Sequence, residues 1–173
     1  MTCDMDIQNI YNSIAELSRE IVRECTARSV KISTAESCTG GMISGAVTSV
    51  SGSSAVIELG VCSYSNRIKH EILHVPAEVL KQFTEYSVEC AAEMAKGVME
   101  LSGADYGVST TGVAGPTGGS AEHPVGEVCI AVSGRNGCRS ERFLFAQGSA
   151  DRELIRALAA EKTLSMLLCE IKK

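Results

Sequence analysis

The chain has 173 residues, of which 45% are hydrophobic and 21% charged, as is typical of one globular domain with its own core. The formal net charge of −5 argues against a general nucleic-acid surface, which needs a basic patch, but permits a small anionic ligand held by local dipoles. No apolar run approaches the roughly 18–20 residues of a membrane span, and residues 1–6 do not resemble a secretion signal.

The eight cysteines predict a reduced, cytoplasmic protein. They are scattered along the chain without a CxxC pair or a cysteine–histidine cluster at metal spacing, so neither a disulfide framework nor a metal site is expected. Most of them lie inside apolar patterns, where a thiol acts as a small hydrophobe. Cys38 is the exception, because it lies in a polar, glycine-rich turn.

The first third of the chain places that turn between a strand and a helix. Residues 5–28 carry apolar side chains at helical spacing and predict an amphipathic helix that covers a sheet. The short apolar segment Val30–Ile32 then leads into the turn Ser33–Gly41, and residues 42–50 predict a helix rich in small side chains. Residues 55–64 predict the next strand.

The middle of the chain is predicted to be mainly helical. One helix begins after Ser65 or Asn66, either of which can cap it, and Pro76 opens a second short helix. A third helix begins after Ser87, a plausible N-cap, and Gly103 ends it.

The last part of the chain combines three strands with a helix. Residues 104–110 predict a strand that runs into a second glycine-rich loop at 111–119. Residues 126–133 and 139–146 are apolar-rich stretches joined by Gly-Arg-Asn-Gly, which predicts an antiparallel hairpin. Residues 151–171 show helical spacing again and predict the last helix.

This order of elements predicts an α/β fold. Helices that alternate with strands, followed by a hairpin, indicate a three-layer α/β/α sandwich around a mixed sheet of about five strands. The pattern leaves the strand order open. The chain shows no repeat and no linker long enough to divide it, so we expect a single domain over residues 1–173.

Chemistry could lie where both glycine-rich loops follow predicted strands, because ligands of open α/β sheets gather beyond the carboxyl ends of strands. The turn Ser33–Gly41 could direct backbone N–H groups and a helix dipole at an anion or a developing oxyanion. Alternatively, Ser33, Thr34 or Ser37 only caps the helix, and the glycines fit a tight turn. Neither loop matches the GxxxxGK[ST] or GxGxxG patterns, which makes a nucleoside-triphosphatase or dinucleotide site a weak alternative.

A serine nucleophile needs a base, and Ser37 has one candidate in the segment after the 55–64 strand. Lys69 could accept its proton if burial lowers the pKa of the amine. The alternatives are that Lys69 is a solvated helix lysine and that Tyr64 is a packing residue with a satisfied hydroxyl. A Ser–His–Asp triad has no specific support from the three histidines, which are His70, His74 and His123.

Several motifs in this order resemble one family. They are Thr34–Gly41, Tyr64-Ser65-Asn66 with Lys69, Val75-Pro76, Thr111–Pro116 with Gly118-Gly119, and Pro124-Val125-Gly126. Together they resemble the CinA C-terminal domain family, whose characterised enzymes are nicotinamide-nucleotide amidohydrolases, also called nicotinamide mononucleotide deamidases. The resemblance spans about residues 9–170.

The resemblance implies a catalytic role for three residues. Ser37 resembles the nucleophile of a serine–lysine amidohydrolase, and Lys69 resembles its general base. Tyr64 resembles a residue that orients that lysine or relays protons beside it. The implied reaction converts nicotinamide mononucleotide to nicotinic acid mononucleotide and ammonia, without a metal or other cofactor, in pyridine-nucleotide recycling.

The resemblance also implies a set of substrate-binding residues, which are Glu36, Cys38, Thr39, Gly40, Gly41, Asn66, Thr111, Gly112, Gly115 and Arg152. Two roles stay open for Glu36: it holds the turn through backbone N–H groups, or it contacts the ribose of the ligand. The segment 148–152 contains two residues more than the family pattern, which questions the placement of Arg152. Tyr86 stands where the family usually has valine, and His74 where glycine is common, and we expect both to alter loop shape more than chemistry.

Further expectations follow from the resemblance. The partner is a small-molecule nucleotide, with no nucleic acid and no membrane, and the protein is a homodimer or a larger homo-oligomer. Some family members are fused behind a molybdopterin-binding-like domain, which these residues lack, so we expect a stand-alone enzyme. One alternative is a catalytically inactive nucleotide-binding or regulatory module of the same family. Another is that Cys38 attacks instead of Ser37, since a thiolate at a helix N-terminus is activated.

Overall fold

The computed structural model describes residues 2–146 and 151–173. The strands are β1 (Ile32–Glu36), β2 (Ile57–Cys62), β3 (Tyr106–Gly112), β4 (Glu127–Gly134) and β5 (Gly137–Leu144). The α-helices are α1 (Thr2–Arg28), α2 (Met42–Thr48), α3 (Asn66–Glu71), α4 (Ala77–Phe83), α5 (Val88–Ser102) and α6 (Arg152–Ile171).

The strands form one mixed sheet in the order β2-β1-β3-β4-β5. Strand β1 pairs in parallel with β2 and β3, whereas β3–β4 and β4–β5 are antiparallel. Glu36, at the end of β1, lies opposite Cys62 of β2 and Thr110 of β3. The loops that leave β1, β2 and β3 therefore begin at one edge of the sheet.

Helices cover both faces of this sheet. Strand β4 sends Val128, Ile130 and Val132 into the core beneath α1, α2 and α6, and Cys129 and Ala131 towards α5. This alternation follows from the two-residue period of a strand, and here both faces are buried. The three-layer α/β/α arrangement with a mixed five-stranded sheet confirms the predicted fold class.

Helix α1 differs from the prediction in what it covers. Its apolar face packs chiefly against α6 and α2, with Ile14, Ile21 and Cys25 buried there, rather than directly on the sheet. Amphipathic spacing shows that a helix has a buried face but does not say which element covers it. Within the described ranges, no helix is long and apolar enough to cross a membrane.

The predicted helix boundaries have recognisable physical causes. The Ser65 hydroxyl caps α3 by accepting the N–H of Ile68 at 3.3 Å, and the Ser87 hydroxyl caps α5 through the N–H of Cys90 at 3.1 Å. Gly103 ends α5 at a φ of 68°.

Several strand boundaries differ from the prediction. Strand β1 covers Ile32–Glu36, so residues 33–36, which were predicted to begin the turn, form most of this strand. Strand β3 begins at Tyr106 rather than at residue 104, because the Asp105 carboxylate accepts the backbone N–H of Lys31 at 2.9 Å in a turn before the strand. Strand β2 begins at Ile57 because a 3₁₀ turn, Ser53–Ala55, precedes it.

Close contact between backbones joins α5 to the segment after α3. A Cβ on Gly97 would lie 1.9 Å from the carbonyl oxygen of Leu73. The same segment connects back to α3, since the N–H of Val75 donates to the carbonyl oxygen of Lys69 at 3.1 Å. Gly97 therefore fixes the distance between α5 and the segment that carries Lys69.

Candidate active site

A cavity of about 350 Å³ opens at the edge of the sheet where β1, β2 and β3 end. Its volume is within the range of pockets that bind small molecules. The lining residues are Ser37, Cys38, Tyr64, Ser65, Asn66, Lys69, Glu85, Tyr86, Gly112, Ala114 and Arg152. The three segments singled out in the sequence therefore contribute to one cavity.

Ser37 and Lys69 meet inside this cavity. The Lys69 Nζ lies 3.1 Å from the Ser37 Oγ and donates to the carbonyl oxygen of Ser63 at 3.0 Å. The backbone of Ser37 is fixed because its N–H donates to the carbonyl oxygen of Thr110 at 2.9 Å. The spacing between hydroxyl and amine is that of a nucleophile and its base.

The lysine is buried, with 1% of its surface exposed, so it is not a solvated helix lysine. This burial lowers the pKa of Lys69 below its ordinary value of 10.5, because removal of water disfavours the ammonium form. The Glu85 carboxylate acts in the opposite direction but does not reverse the shift. A neutral amine has one lone pair. Because the Lys69 amine uses an N–H, and not this lone pair, to bind the Ser63 carbonyl, the lone pair can accept the proton of the serine hydroxyl.

Glu36 holds the turn together. Its carboxylate accepts the backbone N–H groups of Gly41 (2.9 Å), Ile43 (3.1 Å) and Ser44 (2.8 Å) and the Thr39 hydroxyl (2.8 Å). Because these donors lie at the start of α2, the carboxylate does the work of a helix cap. Glu36 is 1% exposed and does not line the cavity. Its contacts therefore agree with a role in holding the turn through backbone N–H groups, and not with contact to the ribose of a ligand.

The alternative in which Ser33, Thr34 or Ser37 caps the helix is wrong, because none of these residues is at the N-cap position. The N-cap of α2 is Gly41, which has no side chain to cap it. The Ser33 hydroxyl donates to the carbonyl oxygen of Tyr106 at 3.3 Å, and the Ser37 hydroxyl faces Lys69. Because the N–H of Gly41 is engaged by Glu36, it is not one of the backbone donors that the turn was expected to direct at an oxyanion.

Arg152 reaches the cavity. Its guanidinium donates to the carbonyl oxygen of Gly115 at 2.8 Å and to the Tyr64 hydroxyl at 3.2 Å. Residues 148–150 of the segment 148–152, which contains the two extra residues, lie outside the described residues. The Tyr64 side chain is 65% exposed, and the structure places its hydroxyl against Arg152 rather than at the Lys69 amine.

Arg156 is a residue that the sequence analysis missed. Its Nε donates to the carbonyl oxygen of Cys38 at 3.1 Å, and a terminal nitrogen donates to that of Thr39 at 2.7 Å. Arg152 and Arg156 are four residues apart on α6, a spacing that puts both on one helix face. That spacing is the signal that could have found it.

The Cys38 thiol lines the cavity, but it is not activated. Burial raises the pKa of Cys38 to about 12 and outweighs the charge of Lys69, which favours the thiolate. A thiol with such a pKa is protonated at neutral pH and is a poor nucleophile. The geometry therefore favours the hydroxyl of Ser37.

The structure divides the other predicted binding residues into two groups. Asn66 and Gly112 line the cavity. Thr39, Gly40, Gly41, Thr111 and Gly115 do not line it, although each belongs to a segment that forms its wall. Thr111, for example, is 1% exposed and donates its hydroxyl to the carbonyl oxygen of Glu85 at 2.5 Å. Glu85 and Tyr86 were not predicted as binding residues and do line the cavity.

Comparison with known sequences agrees with the family resemblance described above. A model of the CinA C-terminal domain matches residues 14–171. The curated nicotinamide-nucleotide amidohydrolase PncC of Enterobacter agglomerans is 45% identical over 160 residues, which are 91% of this chain and 95% of that protein. A CinA-like protein of Geotalea daltonii is 45% identical over 140 residues, but these cover only 33% of that protein. The chain thus spans about a third of such longer relatives.

Solved structures share the fold. The competence/damage inducible protein CihA from Agrobacterium tumefaciens has a TM-score of 0.88 and 41% identity, covering 93% of this chain and 96% of that one. A competence-damaged protein (CinA) superfamily protein from Klebsiella pneumoniae has a TM-score of 0.86 and 32% identity, covering 92% and 98%. The layers and the sheet described above are therefore those of solved relatives.

Proposed function

The chain belongs to the CinA C-terminal domain family, and from that premise we propose that it is an amidohydrolase that deamidates nicotinamide mononucleotide. The products are nicotinic acid mononucleotide and ammonia, and the cellular role is pyridine-nucleotide recycling. One observation carries the proposal: the amine of a buried lysine lies 3.1 Å from a serine hydroxyl in a cavity of suitable size. The 45% identity to a nicotinamide-nucleotide amidohydrolase supports the choice of substrate.

The reaction is an acyl transfer in two halves. Neutral Lys69 accepts the proton of Ser37 while the Oγ attacks the carboxamide carbon, and backbone N–H groups of the turn that follows Ser37 would stabilise the resulting oxyanion. The ammonium of Lys69 returns its proton to the leaving nitrogen, ammonia departs, and an acyl-enzyme remains. Water, deprotonated in the same way, attacks the ester, releases the carboxylate and restores Ser37.

Arg152 supplies the positive charge that a mononucleotide requires. Its guanidinium lines the cavity beside the exposed Tyr64, where a phosphate can reach it from solvent. In this proposal the carboxamide points inward to Ser37 and the phosphate outward to Arg152.

The inactive-module alternative depended on a displaced Arg152. Because Arg152 lines the cavity together with Ser37 and Lys69, the specific reason for that alternative is weakened. It predicts nucleotide binding without turnover. The cytoplasmic location and the homo-oligomeric state remain predictions.

The test is ammonia release from nicotinamide mononucleotide, assayed with a chelator present. We expect wild-type turnover, and a loss of at least about a thousandfold in Ser37→Ala and Lys69→Met, as is usual for catalytic groups that act together. Ser49→Ala is the matched control, because this exposed serine lies at the end of α2 and bonds only its own helix. Absence of wild-type turnover beside an active relative contradicts the proposal, and tight binding without turnover supports the inactive module.

A second pair of variants separates the two candidate nucleophiles. Cys38→Ala is expected to retain turnover within about tenfold of wild type, since its thiol is protonated and serves packing. Full activity in Ser37→Ala together with loss in Cys38→Ala would overturn the assignment of the nucleophile.

A further inference from the structure

The loop between α4 and α5, residues 84–87, brings a carboxylate and an aromatic ring into the cavity through Glu85 and Tyr86. Its backbone is fixed to the sheet at two points. The Thr111 hydroxyl donates to the carbonyl oxygen of Glu85 at 2.5 Å, and the Cys129 thiol donates to that of Tyr86 at 3.2 Å. Both side chains are therefore presented by a backbone that the sheet holds in place.

The ring of Tyr86 is supported from behind. It contacts the His123 ring at a centroid distance of 5.2 Å and an interplanar angle of 53°. The His123 Nδ1 lies 2.9 Å from the Glu127 carboxylate, and its Nε2 lies 3.3 Å from the Thr84 hydroxyl. Two hydrogen-bonding contacts thus hold His123 against the ring, and Glu127 itself is buried.

The charge of Glu85 does not assist the base. Its carboxylate raises the pKa of Lys69, against the lowering by burial, and so reduces the fraction of neutral amine. It also adds to the raised pKa of Tyr86, which burial chiefly causes. The carboxylate also accepts a hydrogen bond from the Tyr86 hydroxyl, so a negative charge and an aromatic ring lie side by side at the cavity, where a positively charged ligand would be attracted.

We propose that Glu85 and the ring of Tyr86 form a subsite for the positively charged pyridinium ring of the substrate. A carboxylate and the face of an aromatic ring both attract an organic cation, and together they favour it over a neutral ring of the same shape. The carboxamide is attached directly to that ring, so a group close to Ser37 and Lys69 is also close to the ring charge. This inference rests on the proposed function and names the feature by which the site selects its substrate.

The experiment compares two amides of equal shape and different charge. One is nicotinamide mononucleotide, and the other is benzamide riboside 5′-phosphate, in which a neutral phenyl ring replaces the pyridinium. The readout is the ratio of their kcat/KM values, because any effect of Glu85 on the pKa of Lys69 changes both values equally and cancels. Glu85→Gln keeps the shape and removes the charge, and Glu89→Gln, an exposed glutamate in the first turn of α5, is the matched control.

We expect Glu85→Gln to lower the ratio of kcat/KM for the cationic amide to that for the neutral amide about tenfold. Tyr86→Leu should shift the ratio in the same direction, and Glu89→Gln should leave it unchanged. An equal fall for both amides means that Glu85 contacts the ribose or only supports the cavity, and it overturns the inference. An unchanged ratio overturns it as well.

A failure of the proposed function is distinguishable from a failure of this inference. If the wild type turns over neither amide, the deamidase proposal is lost, and calorimetry with the same two nucleotides decides the inference. A preference for the cationic nucleotide that disappears in Glu85→Gln then supports the subsite. Equal binding of both nucleotides, or binding of neither, contradicts it.

Discussion

Opposing effects act on the pKa of the Lys69 amine. Burial lowers this pKa, and the neighbouring Cys90, Glu85 and Cys38 raise it in part, with burial the larger effect. Since only the neutral amine accepts a proton, kcat/KM should rise with pH and then level off. The midpoint of the rise should lie below pH 10.5, the ordinary pKa of lysine. A pH–rate profile measures it, and Lys69→Arg should remove the activity because arginine stays charged. A profile that still rises at pH 10.5 contradicts the neutral-base mechanism.

The same shift has a definite sign for stability. Between the lowered pKa in the folded state and 10.5 in the unfolded state, the unfolded chain binds more protons than the folded one. The contribution of Lys69 to the free energy of unfolding therefore increases as pH rises through that window. Below the window, burial of this lysine costs the folded state the most stability. Denaturant titrations of wild type and Lys69→Met at several pH values give the free energy of unfolding of each protein. The difference between the two free energies should become smaller as pH rises.

Single residues differ in how far the sequence predicts them. Ser37 and Lys69 could be chosen from their motifs, but the burial of Lys69 and its contacts with Ser37 and Ser63 arise in the folded chain, and local patterns do not show them. Tyr86 illustrates the opposite difficulty. Its substitution for valine was expected to alter loop shape, whereas its ring lines the cavity and packs on His123. A side chain's neighbours across the fold decide such roles.

At the scale of elements, β1 and α2 depend on one carboxylate. Helix α2 has seven residues and begins at a glycine, so its first N–H groups have no cap of their own and use Glu36. The sequence indicated a capped helix start but assigned the cap to hydroxyl residues. Propensity favours Ser or Thr for that position, and only the folded turn brings the end of the strand over the helix.

Removal of this carboxylate should therefore damage both stability and catalysis. Glu36→Ala is expected to lower the free energy of unfolding by about 2–4 kcal/mol, because several buried donors lose their acceptor. kcat should fall too, since Ser37 is the next residue. Glu100→Ala, an exposed glutamate at the end of α5, serves as the control and should change stability by less than about 0.5 kcal/mol. Denaturant unfolding gives the comparison, and equal stability of the two variants would contradict the capping role.

At the scale of the whole molecule, small residues such as Gly97 set the distance between packed segments. Gly97→Ala would bring a Cβ to 1.9 Å from a carbonyl oxygen, forcing α5 away from the segment that follows Lys69. We expect a loss of at least about 2 kcal/mol in unfolding free energy, together with reduced kcat. Gly45→Ala is the matched control in α2, where a Cβ meets nothing within 4 Å, and it should stabilise the protein by about 0.5–1 kcal/mol. Thermal unfolding of both variants should therefore shift in opposite directions, and parallel shifts would contradict this view of the packing.

The global arrangement was predictable in part for a physical reason. Periodicity and turn residues gave the elements and the antiparallel β4–β5 hairpin, because these depend on neighbours in sequence. The order β2-β1-β3-β4-β5 and the packing of α1 on α6 depend on contacts between distant segments. Patterns within a segment do not record which distant segment it meets.

The bond between Arg156 and Cys38 also has a consequence for synthesis on the ribosome. The two residues are 118 positions apart, so the turn that holds Ser37 leaves the ribosome long before the helix that steadies it. At roughly 5–20 residues per second, this interval is on the order of ten seconds. For most of that time the nascent chain contains both the nucleophile and its lysine, but neither Arg152, which lines the cavity, nor Arg156, which binds the turn. The turn that carries Ser37 therefore reaches its final, arginine-bound form only after α6 has been synthesised.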